Sequence, residues 1–252
     1  MSSFHWPQAS DYIRSDGGHP PSRFAQALAE AIPVVPRSTR VLDIGCGSGI
    51  VGLYCLIQKK AAFVTFSDVL GELVDIARGN VEDKITRGSI HPSQTAFIGS
   101  RFSDLPENVV LAHDVVAFNP PQLPDRYTDR IDGDTVTKTF RHGGSDGLDV
   151  TRGFLRWYSG LKSPKPDAVI VLSCFLGRSR IAQALRDHGL VWNQLGSIRI
   201  PLRPFLQAAA ESLADNPSEI ADRSLEKNDD GVWTKQVMTL VIRGSRDDLQ
   251  RG

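Results

Sequence analysis

Several things are scarce in this chain, and each scarcity removes a class of explanation. Its 252 residues include only three cysteines, Cys46, Cys55 and Cys174. An odd, scattered set with no Cys-x-x-Cys pair argues against a disulfide framework and points to reduced thiols in a cytoplasmic protein. No charge sign is in excess, since 29 Lys and Arg balance 29 Asp and Glu. Loose binding of nucleic acid or a membrane surface therefore has no support from net charge. No apolar run approaches the roughly 18 residues of a membrane span. The first residues, MSSFHWPQASDY, lack the basic start and apolar core of a secretion signal. No His, Cys or Asp cluster has metal-ligand spacing, so no metal is expected. No Ser-His-Asp arrangement is signposted, and neither an internal repeat nor a low-complexity tract is visible.

What is present is an alternation of short apolar runs with helical stripes. Ser22 is placed to cap a helix with Phe24, Leu28 and Ile32 on one face, ended by Pro33. Arg40 to Ile44 reads as a buried strand, and Phe63 to Ser67, Thr95 to Ile98, Val115 to Phe118 and Val169 to Leu172 read as further strands. Between them lie helical patterns through Ile50 to Lys59, Leu73 to Val81 and Val150 to Leu161. Ile181 and Leu185 mark another helix, stopped at Gly189. Val191 to Ile200 alternates weakly, Pro204 opens a helical stripe, and Val237 to Ile242 reads as a final strand. Strands alternating with helices imply an α/β fold, a doubly wound and mostly parallel sheet. From Pro120 to Gly147 there is no periodicity, and a long structureless stretch inside a compact domain is usually functional.

The first strand runs into Gly45, Gly47 and Gly49. Glycines allow a tight turn and close approach to a ligand, and the following helix offers free N–H groups at its positive end. A carboxylate and a pyrophosphate suit such a turn equally. A dinucleotide fingerprint wants G-x-G-x-x-G, whereas position 50 is Ile and the third glycine falls one residue earlier. Asp68 closes the second strand, where a carboxylate can accept both hydroxyl hydrogens of a ribose; the competing reading is an Asp capping the next helix. Asn119-Pro120-Pro121-Gln122 closes the fourth strand. Proline has no N–H, so the Asn119 side-chain oxygen and the Pro120 carbonyl can face one substrate nitrogen together.

Arg-Val-Leu-Asp-Ile-Gly-Cys-Gly-Ser-Gly at 40–49 and Phe-Asn-Pro-Pro at 118–121 together resemble the cofactor and acceptor sites of class I S-adenosylmethionine-dependent methyltransferases. Gly143-Gly144-Ser145-Asp146-Gly147-Leu148-Asp149 with Arg152 is similar to a segment of the HemK type, which methylates glutamine side chains. The resemblance implies a Rossmann-like seven-stranded sheet with an antiparallel last strand. It implies S-adenosylmethionine as cofactor, with S-adenosylhomocysteine as product. It places Asp43, Gly45, Gly47, Gly49, Asp68 and Asn119 around that cofactor, with Asn119, Pro120 and Gln122 at the acceptor. Related enzymes carry an acid after the third strand, near adenine; Ser100 stands there. Phe102 either flanks the adenine or belongs to the core. The GGSDGLD segment is expected to brace the acceptor loop.

Two departures shape the expected substrate. The family has an aromatic residue after Asn-Pro-Pro, and Gln122 has no ring to stack on a planar acceptor. Only about 20 residues precede the first helix, where release-factor enzymes carry a helical recognition domain. Residues 1–40 are expected to form an N-terminal segment and helix covering the cofactor, and 41–252 the methyltransferase domain. Residues 201–233 form an insertion before the last strand that could cover the pocket, favouring a small acceptor. The expected reaction is N-methylation of a small-molecule or peptide-like acceptor. Protein glutamine, a nucleic-acid base, or a non-catalytic cofactor-binding module are the alternatives. His5, Trp6 and Tyr12 form either a lid or a loose tail. His142 is either a proton acceptor or a solvated loop histidine. Arg126, Arg130 and Arg141 could meet an acidic substrate, although Asp125, Asp129, Asp132 and Asp134 interleave with them.

Overall fold

A computed structural model of the chain describes residues 5–17, 20–33, 39–128 and 141–244. Arg130, Asp129, Asp132 and Asp134 lie outside the described residues. The strands are β1 (Arg40–Ile44), β2 (Phe63–Asp68), β3 (Thr95–Gly99), β4 (Val115–Phe118), β5 (Asp167–Ser173), β6 (Trp192–Pro201), β7 (Leu225–Lys227) and β8 (Trp233–Ile242). They form one sheet in the order β3-β2-β1-β4-β5-β8-β6, with β7 on β8. Pairing is parallel from β3 through β5, and β8 runs antiparallel to both β5 and β6. The doubly wound plan and the antiparallel last strand are as expected.

The strand count is not. The 201–233 stretch contributes the short β7, making eight strands among the described residues where seven were expected. The last strand also begins at Trp233, four residues before the apolar run that announced it. The reason is edge coverage: β5 pairs with Val237 to Ile242, and β7 takes up Trp233 to Lys235. That extension allows polar residues to enter the strand.

Helices cover both faces. On one side lie α1 (Ala9–Tyr12), α2 (Arg23–Ala31), α3 (Ile50–Ile57) and α4 (Gly71–Thr86). On the other lie α5 (Glu107–Leu111), α7 (Asp149–Ser159) and α8 (Arg178–Asp187); α6 (Asp125–Thr128) follows the Asn119 loop. Side chains alternate across a strand, so Val41 joins the α2–α3 core while Leu42 and Ile44 join the α7–α8 core. Asp43 shares the face of Val41 and is thereby aimed at α3. A third, smaller cluster joins α9 (Pro204–Glu211), α10 (Pro217–Asp222) and β7 to Tyr127 and Phe175.

The N-terminal residues are built into the body. The Ser22 hydroxyl accepts from the Ala25 N–H at 3.4 Å, as the cap reading requires. Ala25, Leu28 and Ala29 of α2 are buried in the same core as β1 and α3. At the end of this helix the Lys60 ammonium donates to the carbonyls of Ala29 (3.1 Å), Glu30 (2.7 Å) and Ile32 (2.9 Å). A cation there satisfies carbonyls left open by the last turn and complements the helix dipole. Trp6 is buried against Tyr12 and Tyr54, with ring centroids 5.5 Å from each.

Lys60→Met would leave those carbonyls without their donor. It should lower unfolding stability by about 1–3 kcal/mol, read from the urea midpoint. An unchanged midpoint would show that α2 ends equally well without the cation.

Candidate active site

β1 and β4 lie side by side in register, with Ile44 opposite Phe118. The glycine loop and the Asn119 loop therefore leave the sheet at the same edge and level. The chain winds outward in both directions from this pair, so a crevice opens between the two exits, where ligands bind in open α/β sheets. A cavity of about 300 Å³ occupies it. Asp43, Gly45 and Gly47 line it from one side and Asn119, Pro120 and Gln122 from the other.

The glycine loop takes the conformation its residues allow. Gly47 has φ +53° and Gly49 +78°, in the left-handed region that side chains avoid. A Cβ on Gly49 would lie 3.1 Å from the Ala77 Cβ, so this glycine also lets α3 seat against α4. A Cβ on Gly47 would meet nothing within 4 Å. The turn there borders open space, a cradle that any side chain would fill. The Gly47 N–H donates to the Asp68 carboxylate at 3.0 Å, and the Cys46 N–H donates to the Ser67 carbonyl at 3.0 Å. Cys46 itself is a small buried group whose thiol is pushed upward by burial.

Two carboxylates stand at this end. Asp43 is buried and accepts the Gly52 N–H, in the first turn of α3, at 3.0 Å. Burial raises its pKa to about 7, the Gly52 bond opposes this, and the neighbouring Asp68 adds to it. Asp68 also accepts the Leu70 N–H at 3.1 Å, and burial raises its pKa. Asp68 and Gly49 adjoin the loop residues of the wall, Asp68 through the Gly47 N–H.

The other expected contacts are redistributed. Gln122 donates its amide N–H to the Val171 carbonyl (2.9 Å) and accepts the Ser173 N–H (2.7 Å). Both ends of the amide are committed to the β5 backbone. The geometry thus gives Gln122 a bracing part in addition to its place on the cavity wall. The Ser100 hydroxyl donates to the Arg101 carbonyl at 3.0 Å. The Phe102 ring packs among Phe118, Phe154 and Trp157 at centroid distances of 5.5–5.9 Å. Neither Ser100 nor Phe102 borders the cavity, so of its two readings Phe102 takes the core one.

The acceptor loop is clamped from outside. Leu123 donates its N–H to the Arg141 carbonyl (2.7 Å) and accepts from the Gly143 N–H (2.8 Å). A Cβ on Gly143 would come within 2.9 Å of the Gln122 Cα, and one on Gly147 within 2.8 Å of the Gln122 carbonyl. Arg152 closes the segment by bonding Asp146 (2.9 Å) and Asp149 (3.0 Å). The bracing expected of GGSDGLD is therefore seen atom by atom. The His142 Nε2 lies 2.8 Å from the Asp125 carboxylate with both side chains about half exposed, the solvated alternative. Arg126 lies over the ring of its neighbour Tyr127, 4.9 Å from the centroid.

His5, one of the three residues read as lid or tail, lines the cavity. Other lining residues escaped the sequence reading: Asp16, Pro20, Arg203, Phe205 and Lys235. Lys235 had a findable signal. Stepping back by two from Val241, Thr239 and Val237 along the α2-facing side of β8 arrives at it. Among the described residues no group of three His, Cys, Asp or Glu is arranged to hold a metal, and no helix is long and apolar enough to cross a membrane.

Comparison with known proteins agrees with this arrangement. Residues 23–143 match the family model described as methyltransferase small domain. A Methanocaldococcus jannaschii protein, provisionally named a protein N5-glutamine methyltransferase, is 30% identical over 66% of this chain and 78% of its own length. A release factor glutamine methyltransferase of Bacillus anthracis is 26% identical over 58% of this chain, which spans 49% of that relative. Among solved structures, a precorrin-6y C5,15-methyltransferase from Geobacter metallireducens superposes with a TM-score of 0.51 at 9% identity, covering 94% of both chains. At that identity the likeness concerns the fold alone. With the glycine cradle, the switch-point crevice and the braced Asn-Pro-Pro corner in place, the chain belongs to the class I S-adenosylmethionine-dependent methyltransferases, with a HemK-type core and S-adenosylmethionine as its cofactor.

Proposed function

We propose that this protein methylates a planar nitrogen of a small-molecule or peptide-like acceptor. The observation that carries this reading is the placement of Asn119 and Pro120 across one cavity from the glycine loop. When bound, S-adenosylmethionine supplies an electrophilic methyl group on a sulfonium sulfur. Gly45, Gly47 and Gly49 give the backbone approach to it. Asp43 on the wall and Asp68 beside the loop provide negative charge that complements a cationic ligand. Asp68 has lone pairs beyond those holding Gly47 and Leu70, and these are proposed to accept the ribose hydroxyls. Asn119 borders the methyl end of the cofactor.

On the acceptor side, the Asn119 side-chain oxygen and the Pro120 carbonyl accept hydrogen bonds from the nitrogen to be methylated. Two acceptors on one nitrogen turn its lone pair toward the methyl group. Placement supplies much of the rate for such a displacement. A strong base is not needed, because water can take the proton during or after transfer. Residues 5–17 and α9 supply walls that limit solvent access. The Methanocaldococcus relative's name favours a second reading, a protein glutamine as acceptor. That reading asks the cavity, bounded by Phe205 and Leu206 of α9, to admit a peptide loop.

Asn119→Ala should cut transfer by about 100-fold or more and leave S-adenosylhomocysteine affinity within about twofold. Equal activity in that variant removes Asn119 from the mechanism. Asp68→Ala should weaken S-adenosylhomocysteine binding by about tenfold or more, and an unchanged calorimetric Kd would exclude the ribose contact. Asp43 generates a pH dependence. Its pKa near 7 means that it is largely protonated below that pH, whereas a cationic ligand favours its ionised form. Affinity for S-adenosylmethionine, whose sulfonium carries the positive charge, should therefore fall as pH drops from 7 to 5, by at most about tenfold per pH unit, with proton release on binding. Asp43→Asn should bind more weakly and without that slope. Calorimetry at pH 6.5 in buffers of different ionisation heat reads the proton release directly.

A further inference from the structure

A single buried amide joins the N-terminal strap, residues 5–17, to the glycine loop. Asn80 stands in the middle of α4 and is 1% exposed. Its Oδ1 accepts the N–H groups of Arg14 and Ser15, both at 2.9 Å. Its Nδ2 donates to the Ser15 carbonyl at 2.6 Å and to the Ser48 carbonyl at 2.9 Å. A carboxamide has two donor hydrogens and two acceptor lone pairs, so its capacity is fully used. A buried amide is costly unless bonded, and these bonds go to two segments of the cavity wall rather than to α4. Ser48 lies in the glycine loop and lines the cavity. The peptide joining Ser48 to Gly49 is held at both ends, because the Gly49 N–H donates to the Cys46 carbonyl at 2.8 Å. Asn80 thus helps to set a peptide plane within the cradle. On the strap side it fixes Ser15, and the next residue, Asp16, lines the same cavity. The strap lies along α4 beyond this point. One turn further on, the Lys84 ammonium donates to the Asp11 carbonyl at 3.0 Å. A Cβ on Gly17 would collide with Ile76. At its other end the strap is seated by Trp6, whose N–H donates to the Pro21 carbonyl at 2.8 Å.

We propose that Asn80 is a positioning residue for the cofactor: it locks the strap and the glycine loop into one unit, so that docking of residues 5–17 and binding of S-adenosylmethionine are coupled. The inference rests on the placement of the cofactor in this cavity. When the strap lifts, Asp16 and His5 leave the wall. Asn80 then loses every partner except Ser48, and its amide is free to turn away from the loop. The ligand therefore binds the docked form more tightly. Coupling of this kind is reciprocal, so the bound ligand must in turn hold the strap down.

The test is amide hydrogen exchange on the full chain, with and without saturating S-adenosylhomocysteine. The reporters are the Arg14 and Ser15 amides, whose hydrogens Asn80 holds. They exchange through local opening of the strap, and their exchange should slow by about tenfold or more when the ligand is bound. Unchanged rates at both positions overturn the coupling. This measurement needs no variant, so it decides the matter whether or not a variant folds. A mutant cycle read by calorimetry then separates coupling from a merely structural part. Asn80→Ala should raise the S-adenosylhomocysteine Kd by about tenfold, and Trp6→Ala, which loosens the strap at its other end, should raise it as well. In the double variant the loss should fall well short of the product of the two single losses, because both act through one element. A loss equal to that product, or an unchanged Kd in Asn80→Ala, overturns the proposal. Failure of the parent protein to bind S-adenosylhomocysteine would instead overturn the cofactor reading on which the proposal stands.

Discussion

The parallel pairing of β1 with β4 is the constraint on which the site depends. The glycine loop and the Asn-Pro-Pro corner are about 70 residues apart in the chain. They become neighbours because Ile44 and Phe118 are partners at the ends of adjacent strands. Five parallel strands, the inner four buried by helices on both faces, hold that register, since a one-residue slip would exchange the two cores. α3 begins where the glycine loop ends, and its third N–H is taken by Asp43. A slip would therefore also break the cavity's floor.

Rigidity at the acceptor corner comes from polar contacts as much as from the prolines. Gln122 fastens the loop to β5 through both ends of one amide, and residues 141–152 fasten it from the opposite side. The small size of Gly143 and Gly147 is what allows the second layer to lie directly on the first. A reaction governed by placement needs this stiffness, because the donor and acceptor atoms must meet in line. Gln122, expected at the acceptor, is thus also a tie in the scaffold. An aromatic side chain at 122 could stack on an acceptor but could not make those two backbone bonds.

The cavity joins carboxylates on one side to cations on the other, although the chain carries no net charge. Overall balance thus conceals local separation. The cations reach the wall through elements added around the common core: α9 with its preceding turn, and the extended start of β8. The same additions produce β7 and the third hydrophobic cluster. The parts of the chain beyond the shared sheet plan are therefore the parts that shape the acceptor end.

Local pattern was enough for much of this. Ser22 as a cap, the five parallel strands and the glycine turn follow from short-range rules of hydrogen bonding, periodicity and steric size, which act over a few residues and survive any tertiary setting; the bracing by GGSDGLD was implied by the family resemblance. Residues whose role depends on a partner elsewhere were not legible. Gln122 needed the position of β5, Phe102 needed Phe118 and Phe154, and Lys235 needed β7 to extend its strand. Arg141, Arg203 and Lys235 come to one cavity only through the tertiary fold. Backbone and side-chain chemistry set the elements and the two motifs; only long-range packing, which fixes distances between groups remote in the chain, decided which groups face the cavity and which hold it in shape.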